Sequence, residues 1–189
     1  MTAASSVSET AIMTTTAIQN QLKHWAGEDT SAQYLTFYLQ DEMFGMNIKP
    51  IREITDYGHV TKVPMMPDYV RGVVNLRGNV VPVIDLPVRF GWKSSPLNKR
   101  TCIVMLELQN SDDATVTVGN VIDSVSEVLE IDAEYLSPPP KMGAKIARDF
   151  ISGMARIDEN FIVLLNPQTA LLPDELDALS EQALAMEND

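Results

Sequence analysis

The stretch Gly72–Leu86, GVVNLRGNVVPVIDL, decides the fold of this chain. Two apolar runs rich in β-branched residues, Gly72–Leu76 and Val80–Leu86, flank the polar turn Arg77-Gly78-Asn79. β-Branched side chains favour strands, and a glycine in a short turn supplies the positive φ that a tight hairpin requires. The stretch therefore predicts a β-hairpin with an arginine at its tip. That arginine either solubilises the turn or recognises a partner.

Outward from this hairpin, short β segments recur and are separated by small polar turns. They lie at Tyr34–Leu39, Phe44–Ile48, Thr101–Leu108, Thr115–Asp123, Val125–Ile131, Phe150–Ile157 and Phe161–Leu165. The stretch Ile51–Tyr57 fits an exposed strand or a helical turn equally well. A total of about nine or ten short strands favours β-barrels or a sandwich over βαβ units, and it suffices for two small barrels packed on each other.

The two ends of the chain differ from the strand-rich body over 33–172. Residues 1–32 predict a mobile extension with one marginal helix, whose apolar side chains recur at helical spacing: Ile18, Leu22 and Trp25. Residues 173–189 predict an acidic, amphipathic C-terminal helix with the apolar face Leu176, Leu179 and Ala183. Within the body we expect only short helical segments, at Leu86–Phe90 and after the N-capping Asn166.

Composition narrows the class of protein. The chain has 189 residues, of which 45% are hydrophobic, so it can bury a sizeable core. The single cysteine, Cys102, excludes an intrachain disulfide and is predicted to be a small buried hydrophobe. No apolar run approaches the roughly 20 residues that a membrane span requires, and no secretory signal is visible. A soluble, cytoplasmic protein is therefore expected.

The formal net charge of −12 is unevenly distributed. Residues 49–100 contain nine bases and four acids, whereas residues 101–172 contain four bases and eleven acids. This separation either steers a protein partner or reflects two ordinary solvated faces. Because the bases form no dense stripe and the sequence pI is about 4.5, nucleic-acid binding is disfavoured.

The sequence contains no recognisable catalytic motif. The histidines, His24 and His59, stand at no metal-ligand spacing from other ligand residues. The phosphate-binding, zinc-protease and nucleophile-elbow motifs are absent from the chain. We therefore expect a binding module that has no catalytic residues, metal or cofactor. An enzyme that uses Asp123, Asp85 and His59 is the alternative from another class.

The stretch Val63–Leu86, VPMMPDYVRGVVNLRGNVVPVIDL, resembles the signature of the CheW family, the coupling proteins of bacterial chemosensory arrays. The matching positions are Pro64, Pro67, Gly72, Asn75-Leu76-Arg77-Gly78, Pro82 and Asp85-Leu86. The likeness continues in order through Phe44–Ile48, Ile51–Ile54, Gly119–Val125 and Phe150–Asn166. It covers residues 33–172 without a large gap.

The resemblance implies an all-β fold of two five-stranded, SH3-like β-barrels packed about a hydrophobic groove. It implies a non-catalytic scaffold that couples the cytoplasmic tip of a chemoreceptor to the regulatory domain of the histidine kinase CheA in chemotaxis. The protein would then lie in the cytoplasm, associated with membrane-bound receptor arrays, without cofactor, nucleic acid or membrane insertion. A CheW-like adaptor of a non-flagellar chemosensory pathway, controlling pili or a second messenger, stays an alternative.

The resemblance also implies two sets of partner contacts. Ile51 and Glu53 would face the kinase regulatory domain, and Val125 and Val128 would line the receptor groove. For the two valines, ordinary barrel core is an equally good interpretation.

The turn of the hairpin would carry the coupling between receptor and kinase. Arg77 would be the coupling residue, held by Asn75 and by the flexible Gly78. Its alternative role is to brace the two barrels against each other.

Overall fold

The structure is a computed structural model, and it describes Ile18 and residues 33–139, 146–171 and 173–187. In this part of the chain, eleven β-strands form two sheets, and helices are few and mostly short. The prediction of an all-β fold with short helical segments and a C-terminal helix is therefore confirmed.

The six-stranded sheet combines the first two strands with the last four. Its strands are β1 (Gln33–Leu39), β2 (Glu42–Asn47), β8 (Ser124–Glu130), β9 (Leu136–Ser137), β10 (Ile151–Ile157) and β11 (Asn160–Leu165). They lie in the order β8-β1-β2-β11-β10-β9, and only the β11–β2 pair is parallel. The two-residue β9 adds a sixth strand to the five expected, because so short a segment carries no periodic signal in the sequence.

The five-stranded sheet contains the hairpin that carries Arg77 at its tip. Its strands are β3 (Ile51–Asp56), β4 (Val70–Leu76), β5 (Asn79–Asp85), β6 (Cys102–Gln109) and β7 (Thr115–Ile122), in the order β3-β6-β7-β5-β4. Pairing with β6 makes the ambiguous segment at 51–57 a strand.

The hairpin turn is one residue shorter than the sequence indicated. Leu76 pairs with Asn79, so the turn consists of Arg77 and Gly78 alone, and Asn79 is the first residue of β5. Both turn residues have positive φ, 52° at Arg77 and 86° at Gly78, as in a type I′ turn. Asn75 closes the turn, since its Oδ1 accepts a hydrogen bond of 2.9 Å from the Gly78 N–H. The hairpin tip is thus held in one conformation.

Gly72 is required by the approach of a neighbouring segment. A Cβ at this position would lie 2.2 Å from the carbonyl oxygen of Thr61, which pairs with Val73. The φ of Gly72 is 152°, which side chains rarely adopt. Substitution here would push away the segment that crosses the base of the hairpin.

Both sheets bury apolar side chains on both faces. A central cluster joins the two sheets, and each sheet also has a smaller cluster of its own. Alternation along β7 shows this division, because Val118 and Ile122 belong to the central cluster whereas Val121 belongs to the cluster of the five-stranded sheet. This pattern is the one expected of two curved sheets packed on each other.

Aromatic side chains fill one part of the central cluster. Their ring centroids are 5.6–6.2 Å apart. Two of them lie on β1 and β2 of the six-stranded sheet, two lie in the segment that connects β5 to β6 of the five-stranded sheet, and one lies directly before β10: Phe37, Phe44, Phe90, Trp92 and Phe150. Rings at these separations gain energy beyond the burial of their area. They therefore help to hold the two sheets together.

The described helices begin at residues that the sequence marked. Helix α1 (Leu86–Arg89) is capped by Asp85, and α2 (Pro167–Ala170) is capped by Asn166, whose Oδ1 accepts a hydrogen bond from Gln168 N–H. Helix α3 (Pro173–Glu187) buries Leu176 and Ala183, as its predicted apolar face requires. None of the described helices combines the length and apolarity that crossing a bilayer requires.

Two other expectations meet different outcomes. Cys102 is 1% exposed, as predicted, and burial raises the pKa of its thiol to about 12, with Asp56 adding to the shift. The predicted marginal helix falls almost entirely outside the described residues, Leu22 and Trp25 included. Ile18, however, is helical and fully buried in the central cluster. A helical residue at this position agrees with the predicted marginal helix, and the mobility of residues 1–32 stays a prediction.

A polar side chain interrupts the central cluster. Asn120 on β7 is completely buried, and its strand neighbours are Ile84 on β5 and Val104 on β6. Among the described residues, neither its Oδ1 nor its Nδ2 has a hydrogen-bond partner. A buried polar group without a partner costs about 1–3 kcal/mol.

We predict that Asn120→Leu stabilises the protein, because leucine is branched at the same carbon and brings no unpaired polar atoms. The free energy of unfolding in urea should rise by about 1–3 kcal/mol. The control Asn160→Leu, at an exposed position, should change it by less than about 0.5 kcal/mol. A loss of stability in Asn120→Leu would show that the amide is satisfied in solution.

Candidate functional site

An ion pair joins the two edges of the five-stranded sheet. Glu53 lies on the edge strand β3, and Arg77 lies at the tip of the β4–β5 hairpin at the other edge. In a flat sheet, β3 and β4 would be about 19 Å apart, four strand spacings. Instead, the Arg77 Nη2 and Glu53 Oε2 atoms are 3.0 Å apart. The two side chains therefore reach toward each other across one face of the curved sheet, over residues of its central strands such as Met105 and Thr117.

The two members of this pair differ in exposure. The Arg77 side chain is 75% exposed, whereas that of Glu53 is 19% exposed. Glu53 thus positions the guanidinium, and most of the arginine stays accessible to another molecule. An exposed pair of this kind contributes only about 0.2–1 kcal/mol to stability. Because the ion pair adds so little to the free energy of folding, stability alone does not explain it, and a role in recognition is consistent with it.

The surface around the pair suits a protein partner. A second ion pair lies beside it, with 2.7 Å between Arg52 Nε and Glu107 Oε2. The shallow cavity between the two pairs has a volume of about 170 Å³ and includes Met105. Pockets for small ligands usually have about 300–1,000 Å³. The cavity is smaller than such pockets, and charged side chains make up much of its lining.

The structure separates the predicted site residues into two groups. Glu53, Asn75, Arg77 and Gly78 lie together at the curved edge of the five-stranded sheet. The apolar candidates are buried in the central cluster, with 6–8% of each residue exposed: Ile51, Val125 and Val128. The two valines belong to β8, in the other sheet.

The bracing role considered for Arg77 needs correction. Its ion pair connects two edges of one sheet, because Glu53 and the hairpin both belong to the five-stranded sheet. It does not bridge the two sheets. Arg89 is the arginine that connects segments distant in the sequence. Its Nε donates a hydrogen bond to the Ala170 carbonyl, and its guanidinium lies over the rings of Tyr69 and Phe150.

A buried polar network that sequence reasoning missed supports the base of the hairpin. Asp85 is 3% exposed and accepts hydrogen bonds from Arg71 Nε at 2.8 Å and Ser94 Oγ at 2.5 Å. Its other oxygen caps α1 by accepting from the Val88 N–H. The Asp-Leu pair of the signature was visible in the sequence, but its partners lie on other elements.

The residues of the alternative catalytic site have structural partners or lie apart. Asp85 is held in the network just described, and Asp123 accepts a hydrogen bond of 2.5 Å from the Gln40 N–H. His59 is exposed in the segment between β3 and β4. Within the described ranges, no group of three or more potential metal ligands is present.

The charged chain segments do not form two separate faces. Strands β6 and β7, from the acidic segment, lie in the same sheet as β3, β4 and β5, from the basic one. Several bases of residues 49–100 are engaged in contacts within the fold: Arg52, Arg71, Arg77 and Arg89. Neither interpretation of the charge separation, a field that steers a partner or two ordinary solvated faces, is therefore supported by this arrangement.

The acidic C-terminal helix is attached to the body. Asp174 accepts hydrogen bonds from the N–H and Oγ of Ser111, and Glu175 accepts one from the Tyr69 hydroxyl. Its first turn therefore holds the β6–β7 loop and the segment before β4. The carboxylates of Asp174 and Glu175 therefore help to hold the C-terminal helix on the body of the protein.

Similarity to known proteins extends over the whole strand-rich body. Residues 33–173 match the family model described as CheW-like domain. The chain is 32% identical to the chemotaxis protein CheW of Klebsiella aerogenes, over 80% of this chain and 88% of that protein. Protein PilI of Pseudomonas aeruginosa is 24% identical, over 78% and 76%. The crystal structure of the scaffolding protein TtCheW from Thermoanaerobacter tengcongensis has a TM-score of 0.65 and 30% identity, over 74% of this chain and 86% of that one.

We predict that the Glu53–Arg77 pair contributes little to stability. In a double-mutant cycle of Glu53→Gln and Arg77→Asn, the coupling energy from urea unfolding should be about 0.2–1 kcal/mol. Arg77→Asn creates an Asn-Gly turn, which type I′ geometry favours, so this variant should keep the hairpin while removing the charge. A coupling energy above about 2 kcal/mol would mean that the pair holds the sheet in its curved form.

Proposed function

Because the chain belongs to the family of CheW-like domains, we propose that it is a non-catalytic adaptor that couples chemoreceptors to the histidine kinase CheA in chemotaxis. The match over residues 33–173 and the similarity to proteins named as chemotaxis protein CheW support this function. So does the similarity to a solved scaffolding protein. The adaptor would work on the cytoplasmic side of receptor arrays.

The observation that carries the proposal is the exposed, positioned guanidinium of Arg77. It lies within the signature motif, in a two-residue turn fixed by Asn75, and Glu53 orients it. Its fold-stabilising value is small by the argument from exposure. In the proposed function, Arg77 and Glu53 form the polar part of the kinase contact, and Asn75 and Gly78 keep the turn in place.

The buried candidates fit the proposal in a different way. Ile51 lies beneath the charged edge, next to Arg52 and two residues before Glu53, and would support the kinase-binding surface from below. Val125 and Val128 would form the floor of a receptor-binding groove. Because both valines are almost fully buried, a receptor would contact them only if the side chains that cover them moved aside.

The spatial separation of the two groups favours coupling. The polar edge belongs to the five-stranded sheet, and the valines belong to the six-stranded sheet. Two partners can therefore bind at the same time without competing for one surface. Each of the two contacts is expected to have a Kd of about 1 μM on its own. Multivalent assembly would then strengthen the overall binding.

A second candidate is an adaptor of a non-flagellar chemosensory pathway that controls pili or a second messenger. The observation in its favour is the relative named PilI. Reconstitution with the receptors and kinases of each pathway from the same organism distinguishes the two candidates.

We predict that Arg77→Asn abolishes most kinase coupling in a folded protein. In a reconstituted assay of receptor fragments, CheA and adaptor, receptor-dependent kinase activity should fall about tenfold, equivalent to about 1.4 kcal/mol of lost interaction. Glu53→Lys should weaken binding to the kinase regulatory domain in calorimetry.

The matched control is Arg156→Gln, an exposed arginine on β10 in the other sheet. It should leave kinase activation unchanged. Full activation by Arg77→Asn would remove Arg77 from the proposed contact, and absence of any binding by the wild-type protein would refute the function itself.

A further inference from the structure

A long connection without helix or strand joins α1 to β6. It consists of residues 90–101, the basic loop, all of which the structure describes. In compact domains, irregular segments of about 12 residues are uncommon and usually carry a function. Neither this loop nor α1 contains an acidic residue, whereas the chain as a whole has a net charge of −12. The basic loop is therefore an exception on the surface of an acidic protein.

Hydrogen bonds to buried groups fix the course of the basic loop. Ser95 is 9% exposed, and its carbonyl oxygen accepts a hydrogen bond of 3.1 Å from Arg71 Nη2. The same nitrogen donates to Ser94 Oγ at 2.5 Å, and this hydroxyl donates to the buried Asp85. The buried network around Asp85 thus also holds the loop. A segment that is held in this way loses little conformational freedom when a partner binds it.

The basic loop presents cations that have no partner within the fold. Three of its side chains are exposed and form no ion pair with any residue that the structure describes: Lys93, Lys99 and Arg100. Leu97 lies between them in the sequence and is 50% exposed. The loop therefore combines unpaired positive charge with an exposed apolar side chain, and these are the two kinds of group that a protein contact uses.

The basic loop is separate from the exposed guanidinium of Arg77. Its anchors, Arg71 and Asp85, lie at the base of the β4–β5 hairpin, whereas Arg77 lies at the tip. Arg71 precedes Arg77 by six residues along the chain. At about 3.3 Å per residue, the base and the tip are about 20 Å apart. A partner on the basic loop and a partner on Arg77 would therefore use different surfaces.

We propose that the basic loop is a docking surface for an acidic segment of another protein, which places carboxylates on the three cations and an apolar side chain on Leu97. Charge complementarity favours a short protein segment over other anionic partners. A membrane or a nucleic acid presents an extended field of negative charge, which the rest of this acidic chain would repel. A short segment contacts the loop alone and avoids most of that repulsion. This surface lies beyond the proposed function and does not depend on it.

The test is calorimetry with the full chain and a synthetic peptide that alternates pairs of glutamates with single leucines, at about 0.05 M salt. The double variant Lys99→Gln, Arg100→Gln should raise the Kd about fivefold, because two exposed ion pairs are lost. The matched control, Lys49→Gln with Arg156→Gln, removes the same charges from exposed positions outside the loop. It should change the Kd less than about twofold, since distant charges are screened. Equal Kd values for the two double variants overturn the proposal.

The apolar part of the contact has its own matched pair of variants. Leu97→Asn should raise the Kd about threefold, because a half-exposed leucine is no longer buried by the peptide. Leu184→Asn, at a leucine of α3 that is 47% exposed, should leave the Kd unchanged. All these substitutions are at exposed positions, and circular dichroism checks that each variant is folded. An unchanged Kd in Leu97→Asn overturns the placement of the apolar side chain.

Two further measurements identify the occupant. A peptide with glutamines in place of the glutamates should bind about tenfold more weakly, and raising the salt to about 0.5 M should weaken binding of the glutamate form. A glutamate peptide that does not bind with a Kd below about 1 mM overturns the proposal. Sedimentation with vesicles of phosphatidylcholine and phosphatidylserine should leave the protein in solution. Vesicle binding that the Lys99→Gln, Arg100→Gln variant loses would assign the loop to a membrane and overturn the protein partner.

Discussion

The central apolar cluster is the constraint on which the rest of the structure depends. Strands such as β6 bury side chains on both faces, with Ile103 in the cluster of their own sheet and Val104 in the central cluster. Neither sheet could expose that second face to water, because each fully buried aliphatic side chain is worth about 1.5–3 kcal/mol. The two sheets therefore need each other, and the aromatic side chains of the central cluster add large buried surfaces to the contact.

This constraint also decides where function can lie. The interior of the molecule is occupied by packing, so groups available for recognition are left on turns, sheet edges and the margins between the sheets. Arg77 illustrates the consequence, since a type I′ turn at the end of two paired strands holds its guanidinium in place without burying it. Charge on a rigid tip loses little conformational freedom on binding. A scaffold that is stable without its recognition groups can present them at low energetic cost to the fold.

Local features of the fold could be predicted from the sequence, whereas its long-range pairings could not. Alternation of apolar residues located most strands, and Asn166 and Pro167 marked a helix start, because capping involves neighbours in the chain. The segment at 51–57 was ambiguous because its strand character comes from pairing with β6, about fifty residues later. The Glu53–Arg77 contact could not be predicted for the same reason, because it depends on the pairing and curvature of the five-stranded sheet. Burial of Val125 and Val128 likewise depends on how one sheet packs against the other.

The polar members of the central cluster show that its packing is adequate rather than optimal. Asn120 brings two unpaired polar atoms into surroundings of Ile84 and Val104, and Ile18 fills part of the same cluster from outside the matched domain. An interior built only for stability would contain neither a lone amide nor a side chain borrowed from a terminal extension. The contact between the sheets tolerates these weak points because the many buried aliphatic and aromatic side chains around them supply most of its burial energy.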